Sequence, residues 1–122
     1  MKIKKILAVD DSPEILELFS FFFPPMEYQL KVLLSAQNIQ MEIGSFSPDI
    51  ILLDIRIGTE DGRKICNQLK ANPATASIPI IMLSALIGYY SPAESCDADA
   101  FIAKPFDIDK LSTRIKTLTG QT

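Results

Sequence analysis

A chain of 122 residues is long enough for one hydrophobic core without a disulfide or metal staple, and 48% hydrophobic with 22% charged residues describes an ordinary folded domain. The formal charge of -3 and the lack of a basic run argue against direct nucleic-acid binding, and no apolar stretch approaches the roughly 18 residues of a membrane span. With no histidine, a Ser-His-Asp triad is excluded within these residues, and Cys66 and Cys96 make no metal spacing.

The basic start Met1-Lys2-Ile3-Lys4-Lys5 is followed by an apolar run too short for a signal peptide, so a cytoplasmic location is expected. Residues 3–9 read as a first strand that ends at Asp10-Asp11. Ser12-Pro13-Glu14 then suits an N-cap, a proline in the first turn and an acid favoured by the helix dipole, opening a helix over 13–23 that Pro24-Pro25 halts. A second strand over 29–34 and a second helix over 36–46 follow.

Residues 48–54 hold four consecutive large apolar residues between Pro48-Asp49 and Asp54, which suits a strand buried on both faces of a parallel sheet. Asp61-Gly62 marks the next turn, and Ile65 and Leu69 lie one helical turn apart in a helix that Asn72-Pro73 ends. Residues 78–83 form a fourth strand, with Pro79 near its start where a missing donor is tolerated, and 99–103 a fifth. The last helix opens at Asp107, with Ile108, Leu111, Ile115 and Leu118 on one face and Lys110, Arg114 and Lys116 outward.

Strands alternating with helices predict one domain over 1–122, without an output domain, and an α/β fold with helices on both faces of a parallel sheet. Such sheets place their chemistry at the carboxyl ends of the strands. There the sequence puts Asp10 and Asp11 after the first strand, Asp54 after the third, Ser84 after the fourth and Lys104 after the fifth. Clustered carboxylates repel one another until a pKa rises or a cation enters, and oxygen-only ligands favour Mg2+ or Mn2+ over zinc. With such an ion and Lys104 the formal charge comes to about zero, leaving room for a phosphoryl group; Asp54 would be the nucleophile that attacks phosphorus and forms an acyl phosphate.

Along nearly its whole length the chain resembles the receiver domain of two-component response regulators. The resemblance rests on five segments in order: Ile6-Leu7-Ala8-Val9-Asp10-Asp11-Ser12, Asp49-Ile50-Ile51-Leu52-Leu53-Asp54, Asp61-Gly62, Pro79-Ile80-Ile81-Met82-Leu83-Ser84-Ala85 and Asp99-Ala100-Phe101-Ile102-Ala103-Lys104-Pro105-Phe106. It implies a flavodoxin-like, doubly wound, three-layer fold with strand order 2-1-3-4-5 and five helices. It further implies Asp54 as phosphoacceptor, and Asp10, Asp11, Asp54 and the backbone carbonyl of Arg56 as ligands of Mg2+. Ser84 would hydrogen-bond the phosphoryl group, Lys104 would pair with it, and Phe101 would be the aromatic that turns as Ser84 moves. The Lys104-Pro105 peptide is expected to be cis. The implied partners are a histidine kinase or phosphotransfer protein, a downstream protein reached through the fourth helix, fifth strand and fifth helix, and a second copy on phosphorylation. On this reading the chain is a signalling phosphoacceptor and not an enzyme.

Several positions depart from the family pattern. Gly58 stands where a proline is usual, so the loop after Asp54 is expected to differ in flexibility with the site intact. Arg56 either slows water attack on the acyl phosphate, pairs with the phosphoryl group, or lies in solvent. The segment over 86–96, with Tyr89, Tyr90 and Pro92, is about two residues shorter than usual, so a short or displaced fourth helix is expected. Asp97 replaces a common glycine, which suggests a positive φ there.

Phe19, Phe21, Phe22 and Phe23 are expected to pack mostly into the core, the alternative being a docking patch; Cys66 and Cys96 are read as small buried apolar residues. Two other readings stay open: an interaction-only receiver, and a Mg2+-dependent phosphatase with an aspartate nucleophile. The phosphatase would need a second carboxylate at position 56, which is arginine.

Overall fold

The computed structural model describes residues 3–84, 96–104 and 107–120, with Ser84 described by its backbone. Five strands form one parallel sheet: β1 (Lys4–Val9), β2 (Tyr28–Leu33), β3 (Ile50–Asp54), β6 (Ile80–Ser84) and β7 (Ala100–Ala103), in the order β2-β1-β3-β6-β7. This is the expected order 2-1-3-4-5, renumbered because two short strands intervene. Those two, β4 (Arg56–Ile57) and β5 (Glu60–Asp61), pair antiparallel in a separate hairpin that the sequence reading did not foresee. Among the described residues there are four helices: α1 (Pro13–Phe22), α2 (Ile39–Phe46), α3 (Gly62–Ala71) and α4 (Ile108–Leu118). The last of these is the expected fifth helix. The expected fourth helix, with Tyr89, Tyr90 and Pro92, falls outside the described residues.

The long apolar runs are explained by burial from both sides. Along β1, Leu7 and Val9 point into one core layer with α2 and α3, while Ile6 and Ala8 point into the other with α1 and α4. Ile51 and Leu53 alternate with Ile50 and Leu52 in the same way on β3, as do Ile80 and Met82 with Ile81 and Leu83 on β6. All twelve of these side chains are fully inaccessible, and each larger one contributes about 1.5–3 kcal/mol of hydrophobic stabilisation.

Local chemistry sets the helix ends. Asp61 caps α3 by accepting from the Arg63 N–H at 2.9 Å, and Asp107 caps α4 by accepting from Asp109 and Lys110 at 3.0 and 3.3 Å. Ser12 stands at the N-cap of α1 but makes no capping bond with its side chain; its own N–H donates to Asp10 Oδ1 at 2.9 Å. Helix α2 starts three residues later than expected, because Ser35 Oγ accepts from the Gln37 N–H and Ala36 C=O from the Ile39 N–H, making a turn of the residues before Ile39.

The four phenylalanines divide between core and surface. Phe19 and Phe23 are buried, and Phe23 meets Tyr28 edge-on at 5.2 Å, whereas Phe21 is 76% exposed. Cys66 and Cys96 are free and buried, as expected.

Candidate functional site

Register brings the strand ends together. Val9 pairs with Leu53, Asp54 with Leu83, and Ser84 with Ala103, so the residues just beyond β1 and β7 flank the end of β3. Asp10 is fully buried there, and Asp54 is 9% exposed. Lys104 Nζ reaches across the sheet edge and donates to Asp10 Oδ2 at 2.8 Å and to Asp54 Oδ2 at 3.2 Å. The other Asp10 oxygen accepts from the Ser12 N–H, so the most buried carboxylate is satisfied on both sides.

Electrostatics divide these groups. Burial pushes the Asp54 carboxyl above its ordinary pKa, and Asp10 pushes the same way, against the pull of Lys104 and of the Arg56 N–H. For Lys104, burial opposes the charge, but the bonds and attraction to Asp10 and Asp54 outweigh it and hold the ammonium above its usual value. The lysine therefore stays charged across the neutral range while Asp54 is short of compensating positive charge.

Asp11 supplies the third carboxylate. One oxygen each from Asp10, Asp11 and Asp54 lies within 4.8 Å of the other two. This open, oxygen-only donor set fits a hard divalent cation such as Mg2+ or Mn2+. The hairpin over 56–61 closes the same edge. Ile57 anchors it in the core at 3% exposure, the Gly58 N–H donates to Asp11 Oδ2 at 2.8 Å, and the Arg56 N–H lies 3.5 Å from Asp54 Oδ1.

Gly62 explains the Asp61-Gly62 pair. A Cβ built on it would lie 1.9 Å from the Asp54 carbonyl oxygen, so only glycine lets α3 start hard against the end of β3.

Of the residues singled out in the sequence, Asp10, Asp11, Asp54 and Lys104 converge on one edge. Arg56 sits on the hairpin with its side chain exposed and without a partner among the described residues. Phe101 is half-buried, opposite Met82 and packed against the core layer of α2 and α3. The Ser84 side chain and the Lys104-Pro105 peptide lie outside the described residues. Asp97 corrects one expectation, since among the described residues Ser47 is the one non-glycine at positive φ. The Asp97 N–H donates to Asn67 Oδ1 at 2.9 Å, which ties the residue to α3 with φ negative. Gly58 was noted in the sequence as a departure from proline, but its amide contact was missed. Its signal was a Gly-x pair between two residues able to pair across a tight hairpin.

Residues 6–116 match the family model of the response regulator receiver domain, and the chain belongs to that family. It is similar to the DNA-binding dual master transcriptional regulator RpaA of Synechocystis sp., at 31% identity over 120 residues that cover 97% of this chain and 50% of the relative. The chain thus spans about half the length of that regulator. Among solved structures it resembles the signal receiver domain of a signal transduction histidine kinase from Syntrophus aciditrophicus, with a TM-score of 0.86 and 28% identity over 96% of this chain and 90% of that one. It shares the fold of the receiver domain of a sensor histidine kinase from Pseudomonas aeruginosa PAO1, a structure with a magnesium ion coordinated in its active-site cleft. There the TM-score is 0.83 and the identity 22%, over 98% of this chain and 100% of that one.

Proposed function

We propose that this receiver domain accepts a phosphoryl group on Asp54 from the phosphohistidine of a histidine kinase or phosphotransfer protein. The observation that carries the reading is the position of Asp54, at the mouth of a three-carboxylate cluster and 3.2 Å from the Lys104 ammonium. A carboxylate oxygen of Asp54 forms the new O–P bond as the P–N bond breaks, and the leaving imidazole nitrogen keeps the bonding pair and takes up a proton. Lys104 offers its charge to a phosphoryl oxygen once it lets go of Asp54.

Asp10, Asp11, Asp54 and the Arg56 backbone carbonyl would hold Mg2+ or Mn2+, which neutralises charge on the transferring group. Ser84 and Phe101 are the switch pair in this proposal, and β7 and α4, with the segment before them, form the face that a downstream protein or a second copy reads. The residues in hand form one receiver unit that works through protein contacts in the cytoplasm, without direct DNA binding. It is a signalling phosphoacceptor whose only turnover is its own phosphorylation and dephosphorylation. With arginine at position 56, the second carboxylate of an aspartate-nucleophile phosphatase has no counterpart.

The test is incubation with Mg2+ and acetyl phosphate, or with a beryllofluoride mimic, followed by intact mass and NMR on wild type and Asp54→Ala. A covalent phosphate that maps to Asp54, with shifts that reach Phe101 and α4, is expected. Phosphate absent from wild type, or retained in Asp54→Ala, defeats the reading.

A further inference from the structure

The hairpin between Asp54 and α3 is built so that one backbone amide faces the acidic cluster. Arg56 pairs with Asp61 and Ile57 with Glu60, leaving Gly58 and Thr59 as a two-residue loop. Gly58 has φ +61, and Thr59 is not among the residues at positive φ. That is the pattern of a type II′ turn, which places glycine first and matches the twist of the paired strands. A Cβ on Gly58 would meet nothing within 4 Å, so the glycine serves the backbone conformation and not close packing. Held this way, the Gly58 N–H donates to Asp11 Oδ2 at 2.8 Å, across 47 residues of sequence.

Asp11 is exposed, and an exposed aspartate samples several rotamers that a bound cation must reduce to one. The Gly58 bond has already made that selection. It consumes one of about four acceptor positions on the carboxylate and leaves the others to a cation. It also ties the hairpin, which carries the Arg56 carbonyl, to the loop that carries Asp10 and Asp11. We infer that the Gly58 amide is a positioning residue for the divalent cation, orienting Asp11 and docking the hairpin before the ion arrives. This rests on the proposed cation-dependent function and adds to it a group that no side-chain pattern reveals.

The experiment compares Mn2+ binding, read by water-proton relaxation, in wild type, Gly58→Ala and a semisynthetic chain whose Ile57–Gly58 amide is replaced by an ester. The ester deletes the N–H donor and leaves φ free to stay at +61, which proline, with φ fixed at about −65°, could not do. Alanine keeps the N–H and fits the open space, though it strains φ. The ester should raise the Kd about tenfold, the scale of one charge-assisted hydrogen bond, and Gly58→Ala no more than about threefold. An ester variant that binds like wild type overturns the inference, as does an alanine variant that loses as much as the ester. Wild type that binds no Mn2+ defeats the proposed function itself, a separate outcome. Should the ester variant fail to fold, the Gly58 amide in wild type and Asp11→Ala gives an independent reading without any ion. A low-field, exchange-protected amide that loses both properties in Asp11→Ala supports the bond, and an amide unchanged by the substitution overturns it.

Discussion

Replacing Gly62 with alanine should damage both the fold and the site. Ordinary contact begins at 3.4 Å, and the new Cβ would lie 1.9 Å from the Asp54 carbonyl oxygen, 3.0 Å from its carbon and 3.1 Å from the Ile55 oxygen. The first turn of α3 and the end of β3 must therefore part by about 1.5 Å, the difference between 3.4 and 1.9. Neither side yields easily. The Gly62 N–H donates to Ile55 C=O at 2.6 Å, and the Ile55 N–H to Leu83 C=O at 3.0 Å.

Overpacking of this kind costs about 1–3 kcal/mol, and a displaced buried backbone bond adds about 1–3 kcal/mol. The helix-propensity gain from glycine to alanine returns about 1 kcal/mol at most, for a net loss of about 3 kcal/mol. In a domain of this size that lowers the Tm by about 10 °C. Thermal melts followed by circular dichroism measure it, with Gly44→Ala in α2 as the control. Nothing lies within 4 Å of a Cβ at Gly44, so that substitution should be neutral or stabilising. Equal melting of the two variants would refute the reasoning. Gly62→Ala should also take up phosphate from acetyl phosphate more slowly than wild type at a temperature where both are folded.

Three more expectations follow from the charges and burial. Lys104→Met leaves Asp10, whose side chain is 1% exposed, without its cation, and should cost about 3 kcal/mol at neutral pH. Denaturant unfolding measures this, and the loss should shrink when Mg2+ is added; an undiminished stability contradicts it. Asp54→Asn should raise the melting temperature of the metal-free protein at neutral pH. The Asp54 carboxyl is held above its unfolded pKa, so its contribution is fully present below about pH 4 and is lost as pH rises through the folded value. The gain should therefore vanish in acid, and a gain that persists at low pH tells against burial as its cause. Finally, burial and the neighbouring Cys96 push the Cys66 thiol up to about 12, so it should not react with an aromatic disulfide reagent in native protein near pH 8. Rapid native labelling of Cys66 would show that the α3 interior is open.

Much of the site was legible because parallel sheets carry their chemistry at strand ends. Asp10, Asp54 and Lys104 each follow an apolar run, although runs that are apolar on both faces carry no alternation, so the register of β1, β3, β6 and β7 was left to the packing. The illegible parts are those where main-chain groups act. No pattern of side chains shows that the Gly58 N–H meets Asp11, that the Asp54 carbonyl excludes a Cβ at Gly62, or that Ser12 caps α1 by position alone. Nor could composition divide the phenylalanines, since Phe21 differs from Phe19 only by the face of α1 it occupies, and Phe23 is buried at the C-cap.

The strand order was implied by the resemblance to receiver domains; by itself the sequence determined the two-sided burial of the central strands and the identity of the groups at the sheet's edge. Those follow from hydrophobic period and strand-end polarity, which are local properties. Tertiary structure decided that Lys104 bridges Asp10 and Asp54, that burial raises the Asp54 carboxyl, and that a glycine amide holds Asp11. Distance, dielectric and main-chain direction arise only once distant segments are packed together, and they turn four ordinary polar residues into one site.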